Sequence, residues 1–231
     1  MFSSQWFAST GASAYLLEQS LLFNDGDSAF LNRTPSSAGN RKTWTWSGWV
    51  KLSTIGNTSI FGAAERPVAS SGKFRDILFI DSSNKLNFQQ RNQSATNVTN
   101  ILSSATFADA SAWYHIVLSV DTTQSTSTNR QRVYVNGSEI TSWATNTRCS
   151  QNYDGAVNGT FEHNVGRNLS LSDAATQYYD GLMALPILVD GAALAPTDFG
   201  ETDDDGFWNP IEYTGVETPA SAAITYALTD S

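Results

Sequence analysis

The sequence predicts an all-β protein, built as an antiparallel β-sandwich of the jelly-roll type. Short segments with a two-residue hydrophobic period recur along the chain, turn-forming residues separate them, and no segment has the period of an amphipathic helix. The 231 residues suffice for one large domain with a sizeable core. Hydrophobic residues at 40% and aromatic residues at 12% argue against disorder.

The clearest strand pattern covers residues 43–52. Trp44 and Trp46 share one parity with the aliphatic residues that follow them, whereas Trp49 has the other parity. Because successive side chains of a strand point to opposite faces, Trp44 and Trp46 are predicted to face the core. Trp49 is predicted to point away from it.

The other strand candidates are separated by segments with turn chemistry. Asn136-Gly137 and Asp190-Gly191 tolerate the positive φ angles of tight hairpins. Pro186 lies inside the last candidate, and since proline cannot donate to a ladder, that strand should lie at an edge or be bulged. One short helical turn is predicted at 197–200, after Pro196. The candidates are 21–23, 29–32, 59–63, 76–80, 86–91, 113–121, 132–136, 161–166 and 181–190.

The predicted core draws on both strand parities, because different strands turn different parities inward. The residues expected to be largely buried are Trp44, Trp46, Trp113, Ile116, Leu118, Val133, Val135 and Leu182.

Three segments are distinguished along the chain. Residues 20–213 are predicted to form the sandwich, with no domain boundary inside them. Residues 1–19 form an N-terminal anchoring arm, and residues 214–231, rich in Ala and Thr, form a final strand or a tail.

The arm, residues 1–19, carries Phe2, Trp6, Phe7 and Tyr15 without a regular period. An apolar segment that cannot form its own core tends to require a partner surface. We expect these residues to anchor the protein on a neighbouring copy or on another protein. The alternative is that the arm packs back on its own sandwich.

The charge of the chain excludes several partners. The formal net charge is −9 and the sequence pI is about 4.5. Such a chain repels phosphate groups, so neither a nucleic acid nor a membrane is an expected partner.

No run is long and apolar enough to span a bilayer, and the first twenty residues do not have the pattern of a secretory signal. Cys149 is the single cysteine, so no internal disulfide is possible.

Several stretches together carry a family likeness. They are Ser20–Leu31, Thr43–Lys51, Trp113–Asp121, Arg132–Ile140, Val165–Arg167, Tyr179–Ala184 and Val189–Glu201. Their order, with a Tyr-Val-Asn-Gly hairpin, a Gly-Arg strand and an Asp-Gly strand, resembles that of laminin-G-like, concanavalin-like jelly-roll domains. The resemblance implies the same fold for residues 20–215.

The closing stretches Asp198–Glu201, Trp208–Pro210 and Tyr213–Gly215 are similar to structural, tail-fibre-type proteins of marine tailed phages. This resemblance implies a surface protein of the virion that adheres to the host, with a cell-surface glycan as a candidate receptor. Other virion proteins and copies of the chain itself, in a homo-oligomer, are then the expected partners. The alternative is a capsid decoration or head-fibre protein, and a second alternative is a carbohydrate-active enzyme.

The segment Glu201–Glu212 has the acidic spacing of a calcium-binding loop. Acidic residues stand at positions 1, 3, 5 and 12 of the segment, and glycine stands at position 6, as in an EF-hand. The flanking helices are missing, however, and Pro210 falls within the loop. A solvated acidic turn without metal is therefore expected, with calcium binding left as the alternative.

No constellation in the sequence supports catalysis. Glu201 and Asp203 begin the Glu-x-Asp-x-x-Glu pattern of jelly-roll glucanases, but Gly206 stands where the second Glu is needed, in a segment expected to be a loop. His115 and His163 are the two histidines, and His115 shares its parity with apolar neighbours, as a satisfied core or edge histidine does. We therefore predict no catalytic residue, no cofactor and no enzymatic activity.

The tryptophans could stack on sugars, because aromatic faces suit the apolar faces of sugars, but core packing is the better interpretation of Trp44 and Trp46, and the ligand-binding residues stay open. Trp49, and Trp143 after a hairpin, are expected to be the more exposed ones. The candidates are Trp44, Trp46, Trp49, Trp113, Trp143 and Trp208.

Overall fold

The computed structural model describes residues 15, 17–65, 74–94, 96–169, 175–215 and 224–225. These residues form two large antiparallel sheets that enclose one core, which confirms the predicted β-sandwich. Short turns of 3-10 helix lie at Asp25–Asp27, Ser127–Asn129 and Pro196–Asp198, the last of them where a helical turn was predicted. Within the described ranges, none of the helices has the length and hydropathy needed to cross a membrane.

Strands are numbered along the chain. The first sheet has the order β1 (Leu21–Phe23), β15 (Gly181–Asp190), β3 (Thr43–Leu52), β8 (Tyr114–Asp121), β9 (Gln131–Val135) and β10 (Ser138–Glu139), and β18 (Ile224–Thr225) also pairs with β15. The second sheet has the order β11 (Trp143–Thr147), β7 (Asn97–Thr106), β6 (Lys85–Arg91), β5 (Arg75–Ile80), β4 (Thr58–Ala64), β12 (Glu162–Val165) and β2 (Leu31–Arg33). Two small hairpins pair β13 (Arg167–Leu169) with β14 (Ala175–Tyr178), and β16 (Gly200–Thr202) with β17 (Trp208–Pro210).

Tryptophans of β3 join the two sheets across the core. Trp46 stacks on Phe61 of β4 with 5.7 Å between the ring centroids, and Trp44 packs edge-on against Phe88 of β6 at 6.1 Å. Trp44 and Trp46 are fully buried, as their parity predicted. Such aromatic pairs contribute stability beyond the area that they bury.

The predicted core is confirmed in most positions and corrected in three. The buried members are Trp44, Trp46, Ile116, Leu118 and Val133. Trp113, Val135 and Leu182 are only half-buried. Trp113 and Val135 lie at strand ends and Leu182 lies on the outer face of the first sheet, where coverage is partial.

A second, smaller apolar cluster lies on the outer face of the first sheet. Val117 of β8 and Val189 of β15 pack there against Phe199, which belongs to the chain after β15. The Thr45 hydroxyl donates to the carbonyl of Ala192 at 2.9 Å and accepts from the Leu194 amide at 2.8 Å. These bonds hold the segment that leads to the β16–β17 hairpin over the sheet, as a third layer.

Strand β15 is bulged and does not lie at an edge, so the structure selects one of the two arrangements that its proline predicted. The pairing with β3 shifts register between Ala184 and Ile187, so Leu185 and Pro186 stand outside the ladder. Leu185 has a φ of 47°, in the left-handed region. The bulge lets a strand with a central proline stay inside the sheet.

The structure describes only part of the terminal segments. Phe2, Trp6 and Phe7 of the predicted arm lie outside the described residues. Tyr15 is described, and its side chain is 36% exposed. From the C-terminal segment, Ile224 and Thr225 form β18 beside β15.

Candidate ligand-binding groove

An aromatic groove of about 470 Å³ lies on the outer face of the first sheet. It is bounded by the segment that leads into β8, by the β9–β10 turn and by the tip of the β16–β17 hairpin. The residues that line it are Trp49, Ser111, Trp113, Asn136, Gly206, Phe207 and Trp208.

The hairpin that forms one wall is organised by Asp203. Its Oδ1 accepts the backbone N–H groups of Asp205 at 3.0 Å and Phe207 at 2.8 Å, and its Oδ2 accepts the Asn209 side-chain amide at 2.7 Å. The hydrogen bond from Phe207 is the largest of the contacts that lower the pKa of Asp203. Gly206 supplies the positive φ, 87°, that closes the turn.

This geometry corrects the interpretation of Glu201–Glu212 as a loop. The two ends of the acidic turn are the short strands β16 and β17, and Pro210 is the last residue of β17. Both carboxylate oxygens of Asp203 are engaged within the hairpin. Among the residues that the structure describes, no three His, Cys, Asp or Glu side chains cluster as metal ligands do.

The rings of Trp49, His115 and Trp208 meet where the hairpin lies on the first sheet. The His115 ring stacks on Trp49, with 4.7 Å between the centroids and 19° between the planes, and lies edge to edge with Trp208, at 6.0 Å and 20°. Trp208 Nε1 lies 2.9 Å from His115 Nδ1, and Ser47 Oγ lies 2.9 Å from His115 Nε2. Because an indole N–H can only donate, Nδ1 accepts, and a neutral imidazole carries its proton on Nε2, which donates to Ser47.

His115 is held in that neutral form. Its side chain is fully buried, and burial lowers its pKa to about 3. Both ring nitrogens are occupied by structural hydrogen bonds, so His115 behaves as the satisfied histidine that its strand parity predicted. The residue holds the Trp208 side chain in place and does not reach the groove surface.

Two glycines make room for the Trp208 ring. A Cβ at Gly137 would lie 2.6 Å from Trp208 Cε3, and a Cβ at Gly200 would lie 2.6 Å from Trp208 Cζ2. Both distances are shorter than any contact that a real Cβ makes, so larger residues would displace the ring. Gly137, with φ of 78°, and Asn136, with φ of 48°, form the β9–β10 turn that was predicted as a tight hairpin.

The rings that a ligand can reach are Phe207 and Trp113, together with part of Trp208. Phe207 is 67% exposed, and Trp113 is half-buried. Ser111 and Asn136 add exposed polar groups at the margin. No lining residue has an ionisable side chain, so the groove can bind through stacking and hydrogen bonds but offers no general acid or base.

The structure thus reverses two sequence expectations about tryptophans. Trp113 was expected in the core but precedes the first residue of β8 and lines the groove. Trp49 was expected to be exposed but is 5% exposed, and the His115 ring stacks on it. Phe207 was not predicted as a site residue.

The remaining candidates lie elsewhere. Trp143 is half-buried on the edge strand β11 of the second sheet, with the Arg148 guanidinium 5.2 Å from its ring centre. His163 is buried, and its Nε2 accepts the Asn158 N–H at 2.9 Å. Its pKa is lowered, chiefly by burial.

A laminin-G-type family model, described as the concanavalin A-like lectin/glucanases superfamily, matches residues 24–191. No curated protein matches the chain.

Similar solved structures include a heptameric SAP-like pentraxin from Limulus polyphemus, at 14% identity and a TM-score of 0.46 over 68% of each chain. Domain 4 of a GH43 extracellular arabinanase from Geobacillus stearothermophilus, solved with arabinotriose, is 15% identical with a TM-score of 0.45, over 68% of this chain and 65% of that one. The Ruminococcus gnavus IT-sialidase CBM40 bound to α2,6-sialyllactose is 11% identical with a TM-score of 0.47, over 76% and 96%. These likenesses are of fold alone.

Proposed function

This chain belongs to the concanavalin A-like lectin/glucanase superfamily, and from that premise we propose that it is a non-catalytic carbohydrate-binding protein whose ligand site is the aromatic groove. The observation that carries the proposal is the exposure of Phe207, at 67%, on the β16–β17 hairpin, beside half-buried Trp113 of the segment that leads into β8. Sugars offer an apolar face for ring stacking and hydroxyls for Ser111 and Asn136.

The groove is built in advance of binding. Trp208 is fixed by its hydrogen bond to His115 and by the close approach of Gly137 and Gly200. A site whose groups are already ordered loses little conformational entropy when a ligand binds. Phe207, next in sequence to Trp208, is therefore presented on a fixed backbone, as a binding residue requires.

The same geometry supports binding rather than turnover. His115 is buried and neutral, and the carboxylate of Asp203 is used to close its own turn. Hydrolysis of a glycosidic bond needs a pair of carboxyl groups that flank it, and no carboxyl group lines the groove. We propose that the protein has no enzymatic activity.

The biological role that we propose is adhesion of a phage virion to a host-surface glycan, as a tail-fibre-type or receptor-binding protein. The stretches that resemble such phage proteins, Asp198–Glu201 and Trp208–Pro210, supply β16 and β17, which build the groove wall. Antibody labelling of intact particles tests the location: label at the tail supports the role, and label confined to the capsid contradicts it.

A capsid decoration role is the second candidate, and Leu22 is the observation that favours it. Leu22 of β1 is 71% exposed and lies beside half-buried Leu182 of β15. A decoration protein devotes one surface to its neighbours, and Leu22 and Leu182 would lie in that surface. In this role the arm and the outer face would contact neighbouring shell proteins.

Assembly through the arm remains a proposal for either role. We expect the protein without residues 1–19 to fold but no longer to form a homo-oligomer or join the particle. The reason is that Phe2, Trp6 and Phe7 would each contribute about 1.5–3 kcal/mol to association when they are buried on a partner. Light scattering and particle incorporation measure the result. Normal assembly of the shortened chain contradicts the proposal.

Calorimetry with a panel of neutral, amino and acidic oligosaccharides tests the binding function. Phe207→Ala and Trp113→Ala should each weaken binding of the tightest panel member at least about tenfold, as removal of a central aromatic contact does. Trp143→Ala is the matched control, since Trp143 is also half-buried but lies on the second sheet. Binding that is absent from the whole panel, or unchanged in both groove variants, would overturn the proposal.

A further inference from the structure

The hairpin beside the groove carries a run of acidic side chains. Asp203, Asp204 and Asp205 precede Gly206 and Phe207, the two hairpin residues at the groove tip. Asp204 and Asp205 are exposed. The charge of Asp203 is fixed in the turn by the N–H groups that its carboxylate accepts.

The opposite margin of the groove is also acidic. Asp109 Oδ1 accepts both the backbone N–H of Ser111, at 2.8 Å, and its hydroxyl, at 2.6 Å. Ser111 lines the groove, so this carboxylate is hydrogen-bonded to a polar residue that a sugar hydroxyl would meet. Carboxylates therefore flank the aromatic rings on two sides.

The nearby cations are matched by other acids. Lys51 interacts electrostatically with Asp109, and Arg132 lies 3.8 Å from Glu139 near the β9–β10 turn. Neither Asp204 nor Asp205 forms an ion pair of 4 Å or less with another residue that the structure describes. The hairpin side of the groove thus carries uncompensated negative charge.

We infer that the groove binds sugars with a positively charged amino group in preference to neutral sugars, and that it rejects sugars with carboxylates. This inference deepens the proposed function and rests on it. Aromatic faces attract cations through their quadrupole, and carboxylates at the rim add a Coulomb attraction of the same sign. A uronate or sialic acid would meet repulsion from the hairpin margin, whose negative charge is uncompensated.

Three probes of similar length separate the charges: an oligomer of glucosamine with free amines, its N-acetylated counterpart, and an oligogalacturonate. At low salt and a pH where the amines are charged, the amino oligomer should bind about three- to tenfold more tightly than the acetylated one. The acidic oligomer should bind most weakly. The differences should nearly vanish at about 1 M salt, where the screening length is about 3 Å.

Substitutions assign the preference to the hairpin. Asp204→Asn with Asp205→Asn should bring the amino and acetylated oligomers to nearly equal affinity and leave affinity for the acetylated oligomer unchanged. Asp25→Asn with Asp27→Asn is the matched control, because it removes two exposed charges at the β1–β2 connection. This control should retain the preference.

The outcomes distinguish the inference from the function beneath it. Equal affinity for amino and acetylated oligomers at low salt, with both lost in Phe207→Ala, would refute the charge preference but leave the groove as a glycan site. Tighter binding of the acidic oligomer would refute it as well. Absence of binding by every oligomer would instead refute the proposed function.

Discussion

The two faces of the first sheet are built in different ways. On the inner face, Trp44 and Trp46 pack against rings of the second sheet in a continuous apolar core. On the outer face, Trp49 and His115 of neighbouring strands stack on each other, and Trp208 of the hairpin after β15 donates a hydrogen bond to His115. The tryptophans of the inner face pack in a cluster of apolar side chains, whereas the outer face combines ring stacking with hydrogen bonds.

The difference suits the two faces to separate tasks, stability for the inner one and the binding that we propose for the outer one. The inner face follows the two-residue period of its strands and contributes most of the apolar burial. The outer face is only partly covered, so the covering hairpin leaves a groove at its margin with exposed Phe207. Changes inside should therefore alter stability, and changes at the margin should alter binding.

The largest effect is expected inside. Trp46→Ala removes a fully buried ring that stacks on Phe61 and should lower the free energy of unfolding by about 3–5 kcal/mol. Urea denaturation measures it. Trp143→Ala, at a half-buried edge position, should cost clearly less. Equal losses would mean that the core is not where the two-residue period places it.

The pH dependence of stability should follow His115 on the outer face. Its pKa is lowered from 6.5 to about 3, so between these two pH values the folded protein binds fewer protons than the unfolded chain. The free energy of unfolding should thus fall as the pH drops from about 6.5 to 3, by on the order of 4 kcal/mol from this residue. The difference between wild type and His115→Gln isolates the effect. A pH-independent difference would contradict a buried neutral histidine.

Asp76, buried on β5 of the second sheet, should show the opposite sign. Burial is the largest cause that raises its pKa from 3.8 to about 6, against hydrogen bonds from the Val157 and Ala156 amides. The folded state holds this proton more tightly, so the stabilisation is present below pH 3.8 and is lost as the pH rises through 6. In the difference between wild type and Asp76→Asn, stability should increase toward acid. A change that runs parallel to the His115 difference would contradict the assignment.

Gly137→Ala should have a smaller, mixed effect. The new Cβ would lie 2.6 Å from the Trp208 ring, at a φ of 78°, so the ring must move. We expect a loss of stability of about 1–3 kcal/mol together with weaker glycan binding.

Gly191→Ala is the matched control: its φ is 83°, but no atom lies within 4 Å of the new Cβ. It should lose about 1 kcal/mol and keep binding intact. Weaker binding in both variants would show that the backbone strain at a positive φ, and not displacement of the Trp208 ring, explains the loss of binding.

Phe207→Ala should have the smallest effect on stability, within about 0.5 kcal/mol, because the side chain is mostly exposed. Its effect on binding is expected to be large. Chemical denaturation beside calorimetry gives both values for one sample. A variant that loses stability but keeps its affinity would reverse the roles assigned to the two faces.

Local sequence patterns were sufficient for the parts of the fold that bury one apolar face. They predicted the inward tryptophans of β3, the bulge at Pro186 and the turn at Asn136-Gly137. They did not predict β7, a ten-residue strand, because its inward positions include Thr99 and Ser103 and its alternation is hidden.

The groove itself could be predicted only in its components. Trp113 and Trp208 were candidates as single residues, but the contact between Trp208 and His115 joins positions 93 residues apart. No short-range period reports such a pairing. A signal was available for Phe207: an aromatic residue directly after an acidic turn closed by glycine is poorly placed for a core.

The most direct test of the groove as the binding site is an NMR titration that follows the indole N–H resonances of the seven tryptophans. The tightest-binding oligosaccharide of the panel is added to the labelled, full-length protein. The resonances of Trp113 and Trp208 should shift and saturate together, while those of Trp44, Trp46 and Trp143 stay in place. Saturating shifts at Trp143, with Trp113 and Trp208 unmoved, would contradict the account.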